Sequence, residues 1–88
     1  MYFLKWHPAA WEEYCSIQKD KVLLKRMNTL LKDIQRNGFQ STFGKIEMLK
    51  HDFSGCASVR IDQKNRIIFT IEGDSVVILQ CAGHYQDK

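Results

Sequence analysis

Arg66-Ile67-Ile68-Phe69-Thr70-Ile71-Glu72, then Gly73-Asp74, then Ser75-Val76-Val77-Ile78-Leu79-Gln80-Cys81, is the stretch on which the fold turns. Two runs rich in β-branched residues flank a Gly-Asp pair, the pattern of an antiparallel hairpin with a tight turn. A third run, Ala57 to Ile61, lies just upstream. A three-residue loop, Gln63-Lys64-Asn65, would set Asp62 opposite Arg66, Ile61 opposite Ile67 and Val59 opposite Phe69. That register keeps apolar partners on one face, whereas a two-residue loop would set Ile61 against Arg66. Arg60 and Arg66 then point to one side of the sheet, away from Val59, Ile61, Ile67 and Phe69.

Moving toward the N-terminus, Phe39 to Ile46 reads as a loop, with Gly38, Ser41, Thr42 and Gly44 supplying turn chemistry, and β pattern resumes at Glu47. Before it, Leu23, Met27, Leu30 and Ile34 recur at i, i+4, i+7 and i+11, with Leu24 and Leu31 widening the stripe. This is an amphipathic helix, with Asp20 as N-cap and Asn37-Gly38 as its end. A shorter helix begins after His7-Pro8, where proline suits the first helical position. Glu12 and Glu13 sit where the helix dipole favours carboxylates, and Trp11, Tyr14 and Cys15 have the spacing of an inward face. Tyr2 to Trp6 is a short strand. The expected fold class is α+β, in the order β-α-α-β-β-β: two N-terminal helices packed on one face of a small antiparallel sheet.

A chain of 88 residues has room for one core, so residues 1–88 are read as a single domain. The net charge of +3 and pI near 8.8 permit a polyanionic partner without requiring one. Lys19, Lys21, Lys25, Arg26, Lys32 and Arg36 fall in or beside the second helix, where the plain reading is a solvated face. Three cysteines, Cys15, Cys56 and Cys81, cannot all pair within the chain. No signal peptide is evident, and no apolar run approaches the roughly 20 residues of a membrane span. Together these point to the reducing cytoplasm.

The second half concentrates chemistry-bearing side chains: Glu47, Lys50, His51, Arg60, Arg66, His84 and Tyr85. Cleaving RNA without a metal needs a base for the ribose 2′-hydroxyl and an acid for the leaving 5′-oxygen. It also needs cations to hold the phosphate as its oxygens gain charge. Arginine suits that last task because its planar fork can grip two oxygens at once. Each residue also has a plain alternative. Glu47 reads equally as a surface carboxylate, Arg60 and Arg66 as exposed sheet cations, His84 as a solvent-facing terminal imidazole, and Tyr85 as a packing anchor. His7 reads as a capping or packing residue beside Pro8. No metal-binding spacing such as CxxC or HExxH occurs, so neither metal nor other cofactor is expected. Cys81 closes an apolar strand, where an inert buried thiol is the default. Composition and spacing alone stop at a basic α+β domain suited to RNA.

Larger blocks carry more. Leu49-Lys50-His51-Asp52-Phe53-Ser54-Gly55, the stretch from Arg60-Ile61 through Asn65-Arg66-Ile67-Ile68-Phe69, and the ending Cys81 to His84-Tyr85 occur in one order. Trp11-Glu12-Glu13-Tyr14 and Lys32-Asp33-Ile34-Gln35-Arg36 precede them. This combination resembles the YoeB toxins of the RelE/ParE superfamily over nearly the whole chain. The resemblance implies a RelE-like fold and a ribosome-dependent mRNA endoribonuclease. It implies as partners the ribosome with its mRNA and a cognate antitoxin of the YefM kind, acidic and partly disordered; a homodimer is compatible with it. By position it implies Glu47 as general base, His84 as general acid, Arg66 as the phosphate-stabilising arginine and Tyr85 as a substrate-orienting residue. Lys50 and Arg60 are implied as further RNA-phosphate contacts, and a 2′,3′-cyclic phosphate as the first product. Two departures stand out. Ala57-Ser58-Val59-Arg60 replaces the family's Trp-Ser-Arg-Arg, and Ile46 and Met48 replace prolines beside the glutamate, so a less rigid approach to Glu47 is expected. Two other readings stay open: a ParE-like inhibitor of DNA gyrase that cuts no RNA, and a catalytically weakened RNA- or antitoxin-binding homologue.

Overall fold

The structure, a computed structural model, describes residues 1–82. The chain runs β1 (Phe3–Trp6), α1 (Pro8–Ser16), α2 (Lys21–Asn37), β2 (Ile46–Met48), β3 (Ala57–Arg60), β4 (Arg66–Glu72) and β5 (Ser75–Gln80), with 3₁₀ turns at Gly38–Gln40 and His51–Phe53. The strands form one sheet in the order β1-β5-β4-β3-β2, and the α+β class expected from the sequence is observed. Strands β2 to β5 are antiparallel, but β1 joins β5 in parallel, making the sheet mixed. Nearly the whole chain separates β1 from β5, so no local pattern discloses their direction.

Both hairpins follow from turn chemistry. Glu72 pairs with Ser75 across Gly73-Asp74, and Gly73 takes φ 60°, a conformation glycine adopts without a side-chain clash. The β3–β4 register differs from the one expected. Val59 faces Ile67, Ala57 faces Phe69 and Arg60 faces Arg66 directly. The turn closes one residue earlier because the Ile61 amide donates to the Asn65 carbonyl at 2.9 Å. Asp62 Oδ1 accepts the backbone N–H groups of Lys64 (2.8 Å) and Asn65 (2.7 Å), fixing that turn. Burial alone would raise the Asp62 carboxyl, but these hydrogen bonds and nearby Arg26 hold it below its ordinary 3.8. The correction preserves strand parity, so Arg60 and Arg66 still share the face away from the core.

That core lies between α2 and the sheet. Met27 and Ile34 of α2 pack with Val59, Ile67, Phe69, Val76 and Ile78, all without solvent exposure. Asp20 caps α2 by accepting from the Leu23 amide, and Gly38 ends it, donating its N–H to the Ile34 carbonyl. His7 is the N-cap of α1: its Nδ1 accepts from the Ala9 amide at 3.2 Å, with Pro8 in the first helical position. The expected inward face of α1 needs correcting. Ala10 is its buried residue, while Trp11 and Cys15 are exposed and Tyr14 is half-buried. Trp11 instead packs on the rings of Trp6 and Tyr14 at the rim, and Tyr14 donates its hydroxyl to Asn28 of α2. A helix of nine residues lies against the sheet along a narrow line, which a small side chain satisfies. Glu12 and Glu13 lie beyond the first turn of α1, so they do not complement its dipole as expected. Glu13 Oε1 instead accepts the backbone amides of Cys81 (2.9 Å) and Ala82 (3.3 Å), tying α1 to the end of β5. No helix among the described residues is long and apolar enough to cross a membrane.

Candidate active site

Strand alternation builds the site. Ile46 pairs with Val59 on the core side, so Glu47 and its partner Ser58 turn to the other face, where Arg66 also projects. Arg66 Nη1 lies 3.4 Å from Glu47 Oε1 and 3.3 Å from Ser58 Oγ. Ser58 is only 1% exposed, so it forms a polar floor beneath the guanidinium. The Glu47 side chain is 60% exposed and that of Arg66 29%, leaving the carboxylate open to a ligand while the arginine is held. Around the pair opens a cleft of about 510 Å³ lined by Glu47, Met48, Lys50, His51, Ser58 and Arg66.

The segment leading into Glu47 is anchored from α2. Asp33, 9% exposed, accepts the Ser41 hydroxyl, the Asn37 side-chain amide (2.7 Å) and the Phe43 backbone N–H (3.0 Å). Burial would raise this carboxyl, but those hydrogen bonds, with one from the Thr42 backbone, outweigh it and hold it below 3.8. One residue on, a Cβ at Gly44 would run into Val59 Cγ2 and stand 2.9 Å from Leu30 Cδ2, so only glycine lets the loop lie this close to the core. Ile46 and Met48, where the family carries prolines, are strand residues paired with Val59 and Ala57. A buried carboxylate on α2 and the β2–β3 ladder contact the segment that delivers Glu47. Neither Asp33 nor Ser58 stood out in the sequence. An aspartate inside an amphipathic helix on a position that faces inward was the available signal for the first.

Of the residues singled out by sequence, the structure brings Glu47, Lys50, His51 and Arg66 to one cleft. Arg60 pairs with Arg66 through the backbone but does not line this cleft; it borders a separate cavity of about 350 Å³ with Lys25, Arg26, Phe43 and Ile61. Like charges directly opposite each other on adjacent strands are destabilising, so the Arg60/Arg66 juxtaposition is not explained by stability. His84 and Tyr85 lie outside the described residues. Burial, with Glu13 and Cys15 nearby, pushes the Cys81 thiol up to about 12, and its Sγ donates to the Ala10 carbonyl, so it remains an unreactive core group. Among the described residues, no group of three His, Cys, Asp or Glu side chains is placed to hold a metal ion.

Comparison with known proteins settles the class. Residues 6–85 match the family described as YoeB-like toxin of bacterial type II toxin–antitoxin system, which makes this α+β chain a toxin of that system. It is 39% identical over 83 residues to Toxin YoeB of Escherichia coli strain K12, covering 93% of this chain and 98% of the relative. It superposes on a chain of the YoeB-YefM complex from Staphylococcus aureus with a TM-score of 0.85 at 35% identity, covering 97% of this chain and 99% of that one. It likewise superposes on the YoeB dimer from Staphylococcus aureus with a TM-score of 0.84 at 36% identity, covering 96% and 98%. The chain belongs to the YoeB toxin family.

Proposed function

We propose that the protein is a ribosome-dependent endoribonuclease that cuts mRNA by metal-free acid–base chemistry in the Glu47–Arg66 cleft. The observation that carries this reading is an accessible carboxylate 3.4 Å from a partly buried guanidinium, on the sheet face away from the helices. Glu47 takes the proton of a ribose 2′-hydroxyl, whose oxygen attacks the adjacent phosphorus. The bond to the 5′-oxygen breaks, and that oxygen receives a proton from His84. The products are a 2′,3′-cyclic phosphate and a 5′-hydroxyl end. Arg66 meets the charge that builds on the phosphoryl oxygens, and binding RNA draws it from Glu47, freeing the carboxylate as a base. Tyr85 orients the substrate, and Lys50 and Arg60 hold neighbouring phosphates. His84, Tyr85 and Arg60 enter by their positions in the family pattern.

The ribosome supplies the message in a fixed geometry, since positioning can contribute much of the rate in a reaction of this kind. The protein therefore acts in the cytoplasm. Its silencing partner is an acidic, partly disordered antitoxin of the YefM kind that folds over the arginine-bearing face. Self-association as a dimer is compatible with this arrangement, as in the Staphylococcus aureus YoeB dimer.

The test is in-vitro translation with purified protein and mapping of mRNA ends. Cuts confined to ribosome-bound message are expected, with Glu47→Ala and Arg66→Ala each slowing cleavage by roughly 10²-fold or more. Intact message with the parent protein, or equal cutting by both variants, would sink this reading.

A further inference from the structure

We infer that His51 is a substrate-contacting residue of the same cleft, its imidazole hydrogen-bonding a phosphate oxygen of the bound RNA beside Lys50 and Arg66. The inference rests on the endoribonuclease reading and extends it to a residue that reading does not use.

Backbone geometry carries the argument. His51 has φ 60°, and among the described residues it is the only one other than glycine with positive φ. Glycine adopts that conformation freely and asparagine with less strain than most side chains, so a turn built only for shape favours either of them. The other positive-φ positions among the described residues, Gly38, Gly55 and Gly73, all carry glycine. At residue 51 the chain keeps an imidazole instead. That ring does nothing for the turn, because the bond that closes it runs between backbone atoms, from the Ser54 N–H to the His51 carbonyl at 3.1 Å. It is exposed and forms no hydrogen bond or ion pair with another described residue. It lines the cleft that holds Glu47, Lys50, Ser58 and Arg66. A strained backbone carrying a polar ring with no partner among the described residues, in the cleft that holds the Glu47 carboxylate, is the pattern of a side chain retained for a ligand.

The chemistry of the neighbours selects the ligand. Lys50 and Arg66 donate, Glu47 accepts, and an imidazole N–H adds a donor on the same wall, a set that fits phosphate oxygens of a single strand. His51 is assigned to holding substrate and not to the proton transfers.

His51→Asn and His51→Gly separate side chain from backbone, because both accommodate positive φ. They are assayed beside the parent and Glu47→Ala in the translation assay, with thermal melting of each. Both variants are expected to melt no lower than the parent while KM for ribosome-bound message rises about tenfold and kcat changes little, as loss of a charge-assisted contact predicts. Parent-like KM in both, with Glu47→Ala inactive, would overturn the role of His51 and leave the endoribonuclease reading standing. A raised KM accompanied by lower melting in both variants would also overturn it, since His51 would then act through the fold. A parent that cuts no message overturns both readings together.

Discussion

On the helix-covered side of β3 and β4, Val59, Ile67 and Phe69 are sealed from solvent against α2. One position along the same strands, Ser58 and Arg66 face Glu47 across a cleft, and Arg60 stands opposite Arg66. Neighbouring residues therefore answer to different demands. The covered side is specified by volume, and any side chain of the right shape serves. The cleft side tolerates a half-exposed ion pair and a strained histidine, neither of which a folding requirement selects. Among the described residues the strained histidine and the exposed ion pair lie together on the face proposed to touch RNA.

The largest effect should come from the covered side. Phe69→Ala removes a fully buried ring stacked on Phe39 and is expected to cost about 3–5 kcal/mol, read from urea or thermal unfolding. A loss below about 1 kcal/mol would mean that this face is not packed as described. Asp33 joins the two regions, since it is buried on α2 yet holds the loop that delivers Glu47. Asp33→Asn should cost about 1–3 kcal/mol at neutral pH by leaving buried donors mispaired. Its carboxyl is depressed when folded, so its contribution is present above the ordinary value of 3.8 and is lost as pH falls through the lower folded value. The gap between parent and variant should narrow below pH 3.8, and a gap that widens in acid would contradict the assignment. The smallest stability effect is expected in the cleft. Arg66→Ala breaks a 3.4 Å pair whose carboxylate is largely exposed, so it should change unfolding free energy by under about 1 kcal/mol despite its effect on cleavage. A loss as large as that of Phe69→Ala would erase the distinction between the two faces.

The sequence disclosed whatever is periodic or local. The stripe of α2, its Asp20 and Gly38 caps, the Gly73-Asp74 turn and the shared side of Arg60 and Arg66 were all readable from spacing. The β3–β4 register was misplaced because a side chain, Asp62, organises the turn and shifts its closure to Ile61 and Asn65. Parity survived because the shift moved each partner by two positions. Strand β2 spans three residues, too few to establish an alternation, and β1 pairs with a strand over seventy residues away. Trp11 and Cys15 misled because a short helix buries only what its line of contact demands. At the site, Glu47, Lys50 and Arg66 were named through the resemblance, and the structure adds how they meet. Ser58 and Asp33 work through partners set by tertiary packing, which spacing does not encode.

The parallel pairing of Phe3–Trp6 with Ser75–Ile78 bears on how the molecule is made. Synthesis runs from the N-terminus, yet β5, the last of the described strands to emerge, lies between β1 and β4. Until it exists, β1 has no ladder to join and β4 has one bare edge. Assembly is therefore held back to a single late closure across nearly the full contour of the chain, a high-contact-order route expected to be slow. A polypeptide stopped before Ser75 would not be a smaller toxin; it would be a collapsed fragment with an apolar strand edge open to aggregation.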